Sequence, residues 1–110
     1  LFSTRQEIIQ KNVEIKTLSS FMDDFILKNH VILKIDTEGY EYKILKGLSK
    51  KHIDKINFIY IEHHYDQMII KDYNFSDINS FLKNNNFYLR FKIRMNFRKT
   101  FEYIYEKKRY

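Results

Sequence analysis

The chain has 110 residues, 44% of them hydrophobic and 17% aromatic, so it can bury one core and holds one domain at most. It contains no Cys, and no apolar run approaches the ~20 residues of a membrane-spanning helix, which excludes disulfides, thiolate metal sites and such a span. The net charge of +6 comes from basic residues that alternate with acidic ones along the chain, the pattern of a solvated surface rather than of a nucleic-acid groove.

Leu1–Asn12 has no decisive periodicity, and Ile8 and Ile9 fit a short helix or a turn. Val13, Ile15 and Leu18 predict a short strand, VEIKTL. Ser20 with Asp23 three residues on resembles a capping box. Phe21, Met22, Phe25 and Ile26 recur at helical spacing, which predicts a helix over Ser20–Lys28 with Asn29 as a left-handed cap.

Val31–Ile35 is apolar at all but Lys34, as in a parallel strand buried on both faces. Thr37 and Glu38 open the next helix, with Glu38 and Glu41 in its first turn, where the helix dipole favours negative charge. Tyr40, Ile44, Leu45 and Leu48 form its apolar stripe, and Gly47 stops it. Leu48–Lys55 returns the chain to the sheet, and Ile56–Glu62 is a second apolar strand that also ends in a carboxylate.

Asn74 caps a helix over Phe75–Lys83, with Phe75, Ile78, Phe81 and Leu82 as its buried stripe. Strict alternation follows, with Phe87, Leu89, Phe91 and Ile93 on one face and Tyr88, Arg90, Lys92 and Arg94 on the other. A turn over Asn96–Lys99 leads into Thr100–Glu106, which alternates again and closes an antiparallel hairpin. Glu102 and Glu106 then pair with Arg90, Lys92 or Arg94. The order predicts an α/β fold of two βαβ units followed by a hairpin.

Two groups carry chemistry. Asp36 and Glu38 stand at the carboxyl end of a strand, the edge of an open α/β sheet where ligands bind. There they hold a polar ligand or a cation, or they merely cap the helix and complement its dipole. Glu62, His63, His64 and Asp66 form the second group. Adjacent strand residues point to opposite faces, so one His faces the site and the other is packed or solvated. A neutral His in a cleft serves as a general base near neutral pH. Asp36, Glu62 and one His are a weaker divalent-metal alternative. With two glycines in all, the chain has no phosphate loop and no dinucleotide fingerprint.

LKIDTEGYEYKILKG, preceded by VEIKTLSSFMDDF and followed by INFIYIEHH, resembles the FkbM family of methyltransferases. Lys34, Ile35, Asp36, Glu38, Gly39 and Glu41 match its Lys-Ile-Asp-x-Glu-Gly-x-Glu motif, and Leu45, Lys46 and Gly47 its Leu-Lys-Gly. Thr17 and Leu18 match the upstream segment, where Ser19 replaces the usual Asp. The resemblance implies a Rossmann-like, S-adenosylmethionine-dependent methyltransferase acting on hydroxyls of sugars or natural products. It further implies that this chain is the C-terminal half, with the glycine-rich cofactor loop upstream. Val31–Asp36 is then the fourth strand of a seven-stranded sheet, and the hairpin its last two strands.

By the same resemblance, Asp36 and Glu38 sit beside the transferred methyl or the acceptor, Asp36 also on the cofactor side, and Glu62 lines the next strand end. The expected partner is a small-molecule or glycan acceptor rather than nucleic acid, and the expected compartment is the cytoplasm. We also expect the half-domain alone to bind the cofactor poorly and to bare a strand edge. Two rivals stand beside this reading. One is an inactive half-domain remnant. The other is a basic module that binds RNA or a glycan through Tyr88, Arg90, Lys92 and Arg94.

Overall fold

The computed structural model describes residues 7–28, 30–64, 71–94, 96–97 and 100–109. The elements in chain order are α1 (Leu18–Met22), β1 (Val31–Ile35), α2 (Glu41–Lys46), α3 (Lys50–Ile53), β2 (Ile56–His64), α4 (Phe75–Asn84), β3 (Phe87–Arg94) and β4 (Thr100–Lys107). They build an α/β unit on a four-stranded sheet of order β1-β2-β4-β3. β1 runs parallel to β2, while β4 is antiparallel to both β2 and β3. The sheet is therefore mixed, with the expected hairpin and one parallel pair.

The register sorts the side chains onto two faces. Ile35, Ile61, Tyr103 and Lys92 share one row, and Leu33, Ile59, Tyr105 and Leu89 the next. This is the covered face. Ile59, Ile61 and Tyr105 are fully buried there with Leu45 of α2 and with Ile78 and Leu82 of α4. The Tyr105 hydroxyl donates to Asn79 Oδ1 of α4 at 2.8 Å. α4 starts where the sequence predicts it, because Asn74 and Asp77 form a full capping box. Tyr42 of α2 meets Phe81 of α4 edge-on at 6.3 Å, which joins the two helices into one layer.

The opposite face carries Ile32, Phe58, Tyr60, Ile104 and Phe91, of which Ile32 and Phe91 are exposed. Ile32 is 68% exposed, so β1 is buried on one face and not on both as its composition predicts.

Other departures have local causes. Val13 and Ile15 are exposed and residues 7–17 form no strand, because no strand edge pairs with them, so the described chain holds one βαβ unit instead of two. α1 begins before Ser20, since Thr17 caps it by accepting the Ser20 N–H at 3.1 Å. It also stops at Met22, its one buried residue. Asp23 is not a capping-box acid, because its carboxylate bonds His52 Nε2 at 2.9 Å and Lys51 Nζ at 3.3 Å. α2 starts at Glu41, not at Thr37, and Tyr40 lies exposed off its stripe.

Gly47 ends α2 as expected, with an ordinary φ of −79°. An added Cβ would stand a tight 3.3 Å from Ile44 O and in ordinary contact, at 3.5 Å, with Leu18 N and Thr17 Cβ. Ser19 N donates to Gly47 O at 3.1 Å across the same junction.

In β3 the alternation breaks at a bulge between Leu89 and Phe91. Phe91 and Ile93 therefore face the open side, while Lys92 crosses to the covered side, its Nζ 4.5 Å from the Phe101 ring centroid. Tyr88, Arg90, Lys92 and Arg94 consequently do not share a face, and the coherent basic patch of the RNA-binding rival is split. Asn29, Asp66 and the far end of the predicted 96–99 turn lie outside the described residues.

Candidate functional site at the carboxyl ends of the parallel strands

The parallel ladder closes with the pair Ile35 and Ile61. The next residues are Asp36 and Glu62, so the two strands deliver their carboxylates side by side, as their sequences predict. Glu62 in turn lies directly opposite Glu102 of β4. An acidic row thus lies at this end of the sheet: Glu62 and Glu102 face each other across β2 and β4, and Asp36, just past the end of β1, adds its charge at Tyr60.

Tyr60 reports the field of this row. Its phenol is pushed up to about 12, first by a hydrogen bond to the Glu102 carboxylate, then by burial and by the charges of Glu102, Glu62 and Asp36. Lys34 Nζ lies 5.4 Å from the Tyr60 ring centroid and supplies a compensating cation. Neither Tyr60 nor Glu102 is singled out by sequence reasoning, which assigns Glu102 to an ion pair with a hairpin base. Among the described residues that pairing belongs to Glu106, which bonds Arg90 and accepts the Tyr88 hydroxyl at 2.6 Å. The missed signal is the register: Glu102 shares the Ile104 face, and β2 pairing sets it against Glu62.

Glu38 stands in the turn after β1 with φ 50°, followed by Gly39 with φ 109°. The first is a left-handed conformation uncommon for a non-glycine residue, and the second is open in practice only to glycine. Glu38 is exposed and belongs to the turn, not to α2. Behind it, Glu41 is buried and accepts the Gly39 N–H at 3.2 Å and the Thr37 N–H at 3.4 Å. The Tyr73 hydroxyl also donates to it. Burial pushes the Glu41 carboxyl up, but the Tyr73 bond and the Glu41, Gly39 and Thr37 amides outweigh it and hold the group below its ordinary range. Sequence reasoning places Glu41 on the helix dipole, yet it lies four residues before Leu45 and seven before Leu48, on the buried stripe.

The two histidines separate as strand geometry requires. His63 is 2% exposed on the covered face, its ring 6.0 Å from Tyr73, 5.7 Å from Phe75 and 6.4 Å from Tyr103. It is thus packed among aromatic rings on the covered face. His64 lies opposite Thr100 at the end of the ladder, and both His64 Nδ1 and Thr100 Oγ1 are buried with no hydrogen-bond partner among the described residues. Two orphaned polar atoms beside one another mark a place where a bound polar group gains hydrogen bonds. Among the described residues, no group of three or more His, Cys, Asp or Glu side chains is arranged to hold a metal ion.

Comparison with known proteins finds one family and one relative. Residues 2–89 match the model of the methyltransferase FkbM domain. The chain is also 38% identical over 58 residues to "Methyltransferase 1" of Beauveria bassiana (strain ARSEF 2860), a match covering 52% of this chain and 23% of that protein. The aligned part is thus about a quarter of that relative's length. No solved structure matches the chain. With most of its length matched, including β1, β2 and the acidic turn between β1 and α2, the chain belongs to the FkbM methyltransferase domain family.

Proposed function

We propose that this chain is the acceptor-side, C-terminal part of a Rossmann-like methyltransferase that uses S-adenosylmethionine to methylate a hydroxyl oxygen of a sugar or natural product. The observation that carries this reading is the acidic row Asp36–Glu62–Glu102 at the carboxyl ends of β1 and β2, within a chain of the FkbM family. When bound, S-adenosylmethionine supplies an electrophilic methyl on a positively charged sulfur. A row of carboxylates over a half-buried phenol fits that charge, so Asp36 and Glu62 hold the cationic end of the donor, with Glu102 behind them. Glu38, exposed on its turn, orients the acceptor hydroxyl. The hydroxyl proton passes to a carboxylate of the row, or to His64. His63 takes no part in this chemistry.

The order β1-β2-β4-β3 supports the expectation that β1 is an inner strand of a longer sheet whose remainder binds the adenosine. The isolated 110-residue chain then binds S-adenosylmethionine more weakly than millimolar. The test is methyl transfer from labelled S-adenosylmethionine to a glycan and small-molecule panel by the complete gene product. Asp36→Asn serves as the comparison. Transfer that is lost in the variant supports the reading. No transfer by the native protein points to the inactive remnant.

A further inference from the structure

The turn that carries Asp36 and Glu38 is held from behind by one buried carboxylate. Glu41 is 1% exposed, although it is the first residue of α2. Both its oxygens lie 3.2 Å from the Gly39 N–H donor, and Oε1 is 3.4 Å from the Thr37 nitrogen. Tyr73, from the segment entering α4, donates its hydroxyl to Oε2. Thr37 and Gly39 flank Glu38, so fixing both amides fixes the residue between them.

A carboxylate is buried at large cost unless donors surround it. Here most of those donors belong to the turn itself, so the charge and the shape of the turn depend on each other. That shape includes left-handed φ values at Glu38 and Gly39, which persist only where the surroundings impose them. Tyr73 anchors the arrangement to the core. Its ring lies 5.5 Å from Tyr42 of α2 and 6.0 Å from His63 of β2. The Tyr73 phenol is raised by burial and by the Glu41 carboxylate, so it remains a donor throughout the physiological range.

We propose that Glu41 and Tyr73 are positioning residues, a buried carboxylate–phenol pair that locks the Asp36–Gly39 turn and thereby sets where the Asp36 and Glu38 carboxylates stand. Neither touches the substrate. They act through the Thr37 and Gly39 amides. This inference rests on the reading that Asp36 and Glu38 serve the methyl-transfer site.

The test uses the complete gene product with Tyr73→Phe and Glu41→Gln, both near-isosteric, and Asp36→Asn as control. Amide resonances of Thr37, Glu38 and Gly39 are followed by isotope-edited NMR, with amides of α4 and β4 as a check on folding. Tyr73→Phe is expected to shift the turn amides while leaving the others in place. It is expected to lower kcat by about a hundredfold, the cost of a site displaced by an ångström, with KM for S-adenosylmethionine within about threefold of native. Asp36→Asn is expected to lower transfer with the turn amides unmoved. Turn amides unchanged in Tyr73→Phe overturn the proposal. So do shifted amides with undiminished transfer, provided Asp36→Asn is impaired. If Asp36→Asn transfers methyl like the native protein, the site reading fails instead, and the amide shifts still decide whether the pair holds the turn. Should Glu41→Gln not fold, Tyr73→Phe alone decides.

Discussion

Glu62 and Glu102 face each other directly across the antiparallel pair β2 and β4, two carboxylates on the open face of the sheet at the end where Asp36 also emerges. Like charges in that relation destabilise a sheet by a few tenths of a kcal/mol to about 1 kcal/mol. The pair is tempered by the Tyr60 hydroxyl, which is hydrogen-bonded to Glu102, and by Lys34 above the Tyr60 ring.

Tyr60 is the internal reporter of that field. Its phenol, held at about 12, is expected to return toward its ordinary 10 in Glu102→Gln, with a smaller fall in Glu62→Gln. Ultraviolet titration of each variant against the matching Tyr60→Phe background isolates the one tyrosine. A Tyr60 titration that does not move in Glu102→Gln contradicts the hydrogen bond.

The Glu41–Tyr73 pair predicts an acid-sensitive fold. The Glu41 carboxyl is held below its ordinary 4.5, so it binds its proton more readily in the unfolded chain. Its contribution is complete above that ordinary value and is lost as pH falls through the lower, folded one. Glu41→Gln is expected to destabilise the protein at neutral pH by about 1.5–3 kcal/mol, the range for hydrogen bonds to a charged group. The variant is also expected to flatten the acid limb of the stability profile. Urea unfolding at a series of pH values checks both, and a variant as acid-sensitive as the native chain speaks against the pair.

At Gly47 an added Cβ would already press on Ile44 O at 3.3 Å and touch Leu18 N and Thr17 Cβ, so the further methyls of a larger side chain meet the start of α1. Gly47→Val is expected to cost about 1–3 kcal/mol, as overpacking does. A compensating shift of Ser19, whose N–H bonds Gly47 O, accompanies it. Thermal unfolding measures the loss, and a neutral Gly47→Val shows that the junction yields freely.

The open face of the sheet carries Ile32, Phe91 and Ile93, all exposed, and β1 has no outer partner strand among the described residues. Such an edge and face favour association. The 110-residue chain is expected to self-associate in sedimentation, and Ile32→Lys with Phe91→Lys to reduce that without lowering the unfolding midpoint. Equal association by the double variant shows that another surface is responsible.

Local signals were readable where one element decides its own fate. Asn74 and Asp77 mark the start of α4, and the apolar runs ending in Asp36 and Glu62 mark β1 and β2. The motif around Asp36 marks the family. Long-range features were not readable. The bulge at Arg90 reverses the faces of Phe91 and Lys92, and no local signal announces it. The place of Glu102 in the acidic row depends on pairing with β2, forty residues earlier in the chain. VEIKTL has the alternation of a strand but lacks an edge to join. Glu41 could have been found, since it occupies the Leu45 and Leu48 stripe, but a glutamate in a first helical turn has an ordinary electrostatic explanation that conceals it.

The most direct measurement compares the affinity of the complete gene product for S-adenosylmethionine, which carries the sulfonium charge, with that for S-adenosylhomocysteine, which does not. Calorimetry is run on the native protein and on Asp36→Asn and Glu62→Gln. The acidic row predicts that both substitutions weaken the charged donor more than the neutral product and so shift the ratio of the two affinities. A ratio unchanged in both variants contradicts the assignment of Asp36 and Glu62 to the cationic end of the donor.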